Sequence, residues 1–160
     1  LFAACVDVED YDRAFLAVQG NPDAERRRDS FRRLVLVMCE RRQLRKLCAL
    51  PLTPDHIRAT SETVLWKAWT AEIGLDVATG ARVSGTQRPA DVTYYHLLYA
   101  FLTYKQRHRM AAACMWALAE RLTRVQDAVA DSAPFLEQLS SALAAAVGSL
   151  SLVPTEQAFL

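Results

Sequence analysis

Apolar residues recur along this chain at intervals of three and four, which is the spacing of one face of an α-helix. The clearest stretch is Tyr94–Leu122, which predicts two helices joined at Lys105–His108. Its first helix is apolar on two faces, and its second is rich in alanine, so another helix axis can approach closely. A helix with two apolar faces is normally buried between neighbours. The stretch therefore predicts an antiparallel helix pair sandwiched within a stack of helices.

The first third of the chain predicts three helices with short polar connectors. Leu1–Val8 has the pattern of the end of a helix, and Asp10 is placed to cap the next one. Gly20 suits a left-handed end to that second helix. After the next connector, Asp23 is placed to cap a single long helix that spans about Ala24–Cys48.

The middle of the chain predicts one further helix and a loop. Thr53 and Pro54 are placed as the N-cap and first residue of a helix that runs to about Val77. Ala78–Pro89 is rich in Gly, Thr and Ser and is the only clear loop. Asp91 is then placed to cap the aromatic helix that opens the pair.

Two other patterns complete the prediction. In the helix after Pro54, Trp66, Trp69 and Ile73 form a second apolar stripe, which again predicts neighbours on two sides. A last helix starts at Ser132-Ala133-Pro134, and Gly148 is placed to end it.

The fold class follows from the number of helices and their faces. No stretch shows the alternation of a β-strand, and about seven helices account for the pattern. Helices with two faces to bury suit a stacked array better than a closed bundle. The signature of a regular tetratricopeptide repeat is missing. We therefore predict an all-α fold, an irregular α-solenoid of stacked antiparallel helix pairs, as a fragment of a longer chain. Residues 1–160 are expected to form one solenoid region with a loop at about 78–90.

Composition argues against several classes of function. The formal net charge is +1, which gives no global attraction to nucleic acid or anionic lipid. No run reaches the ~18 apolar residues that a membrane span requires, so no transmembrane segment is predicted. The four cysteines are too widely spaced for a zinc site and too few for a disulfide framework. They are predicted to be reduced, buried thiols.

Residues with catalytic potential do not cluster in the sequence. His56, His96 and His108 have neither the spacing of metal ligands nor an adjacent group of carboxylates. The motifs of zinc proteases, α/β-hydrolases, P-loop proteins and dinucleotide-binding proteins are missing. The sequence therefore predicts a protein that is not an enzyme, with no cofactor, no bound metal and no small-molecule substrate.

The helix predicted over Ala24–Cys48 is the sharpest functional feature, because arginines crowd its polar surface. Such a surface can face phosphate groups, and arginine also makes bidentate contacts with carboxylates at protein interfaces. No helix-turn-helix or RNA-recognition pattern accompanies it, so nucleic acid is disfavoured. A solvated helix face is the ordinary alternative. Two sets are possible for a phosphate-facing surface: Arg26, Arg33 and Arg41, or Arg28, Arg32 and Arg42.

Tyrosine is also enriched at protein interfaces, although the aromatic stripe of this chain is first of all a core pattern. Two tyrosines are placed where they can reach a partner surface. The candidate interface residues are Arg26, Arg33, Arg41, Tyr95 and Tyr104.

Two phrases of the sequence carry a family resemblance. Asn21–Leu52 contains the turn Asn21-Pro22-Asp23 and a run from Arg33 to Arg41 followed by Gln43-Leu44. Tyr94–Leu122 contains Tyr95, the block from Leu97 to Phe101, and Tyr104. In this order the phrases resemble the helical region of a large nucleoporin, the one named for a mass of one hundred and sixty kilodaltons in animals. It belongs to the Y-shaped scaffold complex of the nuclear pore. The phrases cover somewhat under half of the chain.

The resemblance implies more than the residues show. It implies a protein with an N-terminal β-propeller and a long irregular α-solenoid, of which this chain is a slice. Its role would be structural, at the nuclear pore complex of the nuclear envelope, with indirect effects on mRNA export and protein import. Its partners would be other nucleoporins of the Y-complex, and no catalytic residue is carried over. The alternative is a peptide- or RNA-binding helical module that uses the basic face Arg26–Lys46.

Overall fold

The computed structural model describes residues 1–70, 90–126 and 133–154, and this part of the chain consists of α-helices without a β-strand. The prediction of an all-α, solenoid-like fragment is confirmed. In chain order the helices are α1 (Phe2–Asp7), α2 (Tyr11–Gln19), α3 (Ala24–Glu40), α4 (Leu44–Ala49), α5 (Pro54–Thr70), α6 (Ala90–Tyr104), α7 (His108–Gln126) and α8 (Ala133–Ser151).

The helices form two compact units. Unit 1 is Leu1–Val64 and unit 2 is Leu65–Leu160, so the division falls within α5. Each unit contains its own set of buried apolar side chains. The expectation that residues 1–160 form one continuous solenoid region stays a prediction.

The core of unit 1 is formed by the apolar faces of α2, α3 and α4. Phe15 and Phe31 are buried, and their ring centroids lie 6.2 Å apart. The ring of His56, from the first turn of α5, packs edge-on against Phe15 with centroids 5.4 Å apart. The other large, fully buried side chains of this unit are Val18, Leu34, Met38, Leu47 and Leu50. All of these apolar residues except Leu50 lie at the helical spacing that the sequence predicted.

Unit 2 is built on the predicted helix pair, which corresponds to α6 and α7. Tyr95, Leu98 and Phe101 are each 1% exposed, and burial of such a side chain contributes about 1.5–3 kcal/mol. The Cys114 thiol of α7 donates to the carbonyl oxygen of Tyr95 at 3.5 Å, a contact that brings the two helices close. α8 packs against α7, and its Ser149 Oγ donates to the Tyr99 hydroxyl at 3.3 Å. The prediction that α6 is covered on two faces is confirmed.

Three helix junctions use the same backbone turn, in which a residue other than glycine is left-handed. Glu9 follows α1 with a φ of 59°, while Arg42 after α3 and Gln106 after α6 each have a φ of 55°. In each case the next amide bonds to a carbonyl five residues back, as in a Schellman motif. These bonds are Asp10 N to Cys5 O (2.9 Å), Gln43 N to Met38 O (2.8 Å) and Arg107 N to Leu102 O (2.8 Å).

The residue that closes each of these turns also starts the next helix. The carbonyl oxygens of Asp10, Gln43 and Arg107 accept the first bonds of α2, α4 and α7, from Ala14 N, Leu47 N and Ala111 N. Each junction therefore needs only three residues between the end of one helix and the start of the next.

The left-handed turn at Arg42 overturns one prediction. The sequence predicted a single helix over Ala24–Cys48, but the structure divides it into α3 and α4 at residues 41–43. Arginine carries no signal for a left-handed conformation, so the break was not visible in the residue pattern.

Both glycine predictions were wrong. Gly20, predicted to be left-handed, has φ −74° and ψ −5°. Gly148, predicted to end the last helix, lies inside α8, which continues to Ser151. Glycine permits a left-handed conformation but does not require one, so it is a weak signal by itself.

The predicted caps of the first helices are confirmed. Asp10 Oδ1 accepts a hydrogen bond from Arg13 N at 3.2 Å. Asp23 Oδ1 accepts from Glu25 N at 3.0 Å and from Arg26 N at 3.2 Å. α6 begins at Ala90, so Asp91 lies within the helix and is not its cap.

Trp66 and Trp69 were predicted as part of a second buried stripe, but they are 63% and 55% exposed. The remainder of that stripe, at Ile73, lies outside the described residues, as do the predicted helix end near Val77 and the loop Ala78–Pro89.

We expect the substitution Gln106→Gly to stabilise the protein. A left-handed conformation destabilises a residue that has a β-carbon by about 1–2 kcal/mol, and glycine removes this strain. Glycine also loses more conformational entropy on folding, which offsets part of the gain in stability. The free energy of unfolding in a urea titration should rise by about 0.5–1 kcal/mol. Gln106→Ala, which keeps the β-carbon, is the matched control and should show no gain. A loss of stability with glycine would contradict this account of the turn.

Candidate protein interface

Two of the arginines predicted at an interface are available on the surface of α3. Arg26 is exposed in the first turn, and its Nε lies 3.3 Å from Oδ2 of the cap residue Asp23. Arg33 is exposed and lies on the same face as Arg26, because seven residues make nearly two helical turns. Both therefore remain candidates for contact with a partner.

Arg41 has a structural role in unit 1. Its Nη1 donates to the carbonyl oxygen of Val6 at 2.8 Å and lies 3.6 Å from Glu9 Oε1. Val6 belongs to the last turn of α1, where carbonyl oxygens lack partners within the helix. Arg41 thus connects the end of α1 to the end of α3, while its side chain stays 37% exposed.

The two predicted tyrosines have opposite environments in unit 2. Tyr95 is 1% exposed, so it is a core residue and the prediction that it reaches a partner surface was wrong. Its position on the second apolar face of α6 explains the burial, because that face is covered as well as the first. Tyr104 is exposed at the end of α6, with Lys105 Nζ 5.9 Å from its ring centroid. Tyr104 remains a candidate.

A groove of about 640 Å³ lies between α3 and the first half of α5, within unit 1. We call it the α3–α5 groove. Arg28 and Arg32 of α3 line one wall, Arg58 and Glu62 of α5 line the other, and Phe31 contributes apolar lining. The sequence offered Arg28 and Arg32 only as members of an alternative basic set, and it did not place them beside α5. Their spacing of four residues was the available signal.

An exposed aromatic side chain on unit 2 is held by cations. Trp69 lies in the last turn of α5, and the guanidinium carbons of Arg121 and Arg124 lie 5.6 and 5.7 Å from its ring. Arg121 Nη1 also donates to the carbonyl oxygen of Ala68, so it connects α7 to α5. Cation–π contact orients the indole while leaving more than half of it exposed. Tryptophan and arginine are residue types that dominate binding energy at protein interfaces, and the sequence analysis did not select them here.

α8 has an apolar face that no described residue of unit 2 covers. Its buried face contains Ala142, Ala146 and Ser149. Its exposed aliphatic side chains are spaced by seven, four and three residues, so they form one stripe along the helix. We call this the α8 stripe, formed by Leu136, Leu143, Val147 and Leu150.

The described residues show neither a cluster of metal ligands nor an ionised thiol at Cys39 or Cys114. In residues 1–70, 90–126 and 133–154 there is no group of three or more metal-ligand side chains. The four cysteines are buried and form no disulfide, as predicted. Burial raises the pKa of Cys39 and of Cys114 to about 12. For Cys39, the negative charge of Glu40 is a second, smaller cause of that rise in pKa. These two thiols are therefore neutral at physiological pH, and a neutral thiol is a poor nucleophile. A search of the described residues finds no helix that is long and apolar enough to cross a membrane.

His56 links the α3–α5 groove to the core of unit 1. Its ring centroid lies 4.9 Å from that of Phe31, and its Nδ1 lies 3.3 Å from the amide of Thr53, which donates to it. This is the arrangement of a capping box, with histidine in the position usually held by Glu or Gln. Burial lowers the pKa of His56, and the adjacent Asp55 carboxylate only partly opposes that effect.

The two units therefore define an all-α protein built from packed helices. Comparison with known proteins gives the same class. A family model described as the NUP160/120 middle TPR matches residues 1–152, and the chain belongs to this family. The resemblance to the large nucleoporin in the sequence analysis is thus confirmed.

Two curated relatives are proteins named Nuclear pore complex protein Nup160, one from mouse and one from human. Each is 28% identical to this chain over 163 residues, and each match covers 100% of this chain. The chain spans 10% of the length of either relative.

We expect protonation of His56 to destabilise unit 1. Because its folded pKa lies below the ordinary value near 6.5, the unfolded chain takes up the proton first. The stabilisation is complete above about pH 6.5 and is lost as the pH falls through the folded pKa. Urea titrations between about pH 7.5 and 5 should show a decline that is smaller in His56→Gln, which keeps a capping-box acceptor without titrating. An identical decline in both proteins would contradict this role.

Proposed function

We propose that this chain is a structural, non-enzymatic segment of the nuclear pore complex scaffold, and that it acts within the Y-shaped complex at the nuclear envelope. The family match over residues 1–152 carries this proposal, together with relatives named as nuclear pore complex proteins. In this role the segment supports mRNA export and nucleocytoplasmic transport indirectly, by holding other nucleoporins in place.

The α8 stripe supports a role in stacking. α8 has Glu137 as its one charged residue, and four aliphatic side chains stay exposed on the face that α7 does not cover. An exposed apolar helix face of this kind loses its contact with water when another helix packs on it. We propose that the α8 stripe packs against a further helix of the scaffold.

The surface arginines and Tyr104 provide a second kind of contact. Arg26 and Arg33 share one face of α3 and can make bidentate contacts with carboxylates of another nucleoporin. Tyr104 offers an exposed ring at the end of α6. We propose these residues as side contacts of the scaffold, together with the exposed part of the Arg41 side chain.

RNA binding by the basic face Arg26–Lys46 is the alternative. Part of that charge is balanced locally, because Arg26 pairs with Asp23 and Arg41 approaches Glu9. A steep decrease of RNA affinity with salt would favour the alternative, since that slope counts the phosphate contacts released.

The scaffold proposal is tested with the full-length protein carrying Val147→Asp and Leu150→Asp together. We expect the carboxylates to prevent packing on the α8 stripe, so that fewer pore subunits co-purify from nuclear envelope extract. Burial of an unpaired carboxylate costs several kcal/mol, so the loss should be nearly complete.

The matched control is Ser141→Asp with Ala144→Asp, which adds the same charge to exposed positions of α8 outside the stripe. It should retain the subunits. Retention by the stripe variant, or equal loss by the control, would count against the proposed contact.

A further inference from the structure

We propose that the α3–α5 groove binds an extended acidic peptide segment of another protein, with its carboxylates on Arg28 and Arg32. This site goes beyond helix stacking and uses neither the α8 stripe nor the exposed face of Arg26 and Arg33.

The charge of the groove is the first argument. Its lining contains four guanidinium groups and two carboxylates, a net charge of +2. Arg58 is already bound to Asp55 at 2.8 Å, and Arg27 donates to the carbonyl oxygen of Asn21 at 2.8 Å. Arg32 has only the distant Asp29 at 3.9 Å, and Arg28 has no ion pair within the described part of unit 1. Arg28 and Arg32 are therefore the cations with unused capacity.

The spacing of these two arginines fits an extended chain. Four residues of an α-helix rise by about 6 Å, so Arg28 and Arg32 project along one side of α3 at about that interval. In an extended peptide, side chains two residues apart lie on the same side and are about 6.6 Å apart. Acidic residues at alternate positions thus meet the two guanidinium groups in turn, and arginine binds a carboxylate with two parallel hydrogen bonds.

Apart from its charged groups and His56, the groove has an apolar lining that suits the intervening residues of such a peptide. Val18, Ala24 and Ala59 contribute small side chains, and the volume of about 640 Å³ is within the range of ligand-binding clefts. The residues between the acidic positions point to the other side of an extended peptide, toward α5, where small aliphatic side chains would be buried against Ala59.

The lining favours a protein ligand over RNA. Single-stranded nucleic acid is bound mainly by stacking of bases on exposed aromatic faces. The rings of this groove are Phe31, which is buried, and His56, which packs against Phe31 and Phe15. Neither ring presents the open face that a base requires for stacking. Guanidinium groups and small apolar side chains can instead contact the carboxylates and aliphatic side chains of a peptide.

The test uses fluorescence anisotropy with a labelled peptide in which glutamate and leucine alternate. A peptide of the same composition with its glutamates in one block is the first control, since only alternation matches the two arginines. An oligouridylate of equal charge is the second control. We expect the alternating peptide to bind most tightly, with an affinity that falls as salt is added.

Two variants test the location. Arg28→Glu with Arg32→Glu should weaken binding by about tenfold or more, because two charge-assisted contacts become repulsive. Ala59→Trp fills the groove without changing its charge and should weaken binding similarly. Arg45→Glu with Arg109→Glu makes the same change of charge outside the groove and should leave the affinity within about twofold, the effect expected of exposed charges.

Circular dichroism tests whether each variant is folded. If the variant with Arg28→Glu and Arg32→Glu does not fold, Ala59→Trp tests whether the peptide binds in the groove. Equal weakening by the Arg45 and Arg109 control, or undiminished binding by Ala59→Trp, would overturn the site. Tighter binding of the oligouridylate would overturn the peptide in favour of RNA, and failure of the alternating peptide to bind would overturn the proposal outright.

Discussion

Burial of apolar side chains on more than one face of a helix is the constraint on which the described structure depends. In unit 2, α6 presents Leu98 and Phe101 on one face and Tyr95 on another, and all three are removed from water. This is possible because α7 carries small residues where the two backbones approach, as the contact between Cys114 and the carbonyl oxygen of Tyr95 shows. A helix of this kind is unstable alone and needs neighbours on two sides.

The same constraint connects the core with the surfaces. α8 has one face against α7 and a second apolar face that remains exposed, so its sequence has the same two-sided character as α6. Unit 1 differs, because its exposed surface is dominated by the arginines of α3 around a core of aromatic and aliphatic side chains. The surfaces that we propose for contact are therefore ionic in unit 1, and apolar and aromatic in unit 2.

The sequence predicted those parts of the fold that follow from local chemistry. The sequence predicted Asp10 and Asp23 as caps because an aspartate just before an amphipathic helix can accept hydrogen bonds from the amides of its first turn. The breaks at Glu9, Arg42 and Gln106 were not recognised as left-handed, because such turns are usually marked by glycine. At these residues the backbone conformation is imposed by the packing of the helices on either side. A short stretch of sequence does not contain that information.

The candidate site was predictable only in part. The exposed positions of Arg26, Arg33 and Tyr104 follow from helical phase. Tyr95 was misplaced, although it lies on the second apolar face that the sequence already predicted to be buried. The α3–α5 groove joins residues about thirty positions apart and depends on how α5 returns beside Phe31, so helical spacing alone did not reveal it.

The recurring junctions at Glu9, Arg42 and Gln106 have a consequence for how such a chain changes over time. Each corner is closed by bonds between main-chain atoms, and every amino acid except proline supplies those atoms. The direction in which the chain leaves one helix and enters the next therefore depends little on which side chain the left-handed residue carries. Substitutions can accumulate at these helix junctions while the path of the backbone is preserved. Distant members of a family can therefore keep the same backbone path after most of their residues have changed.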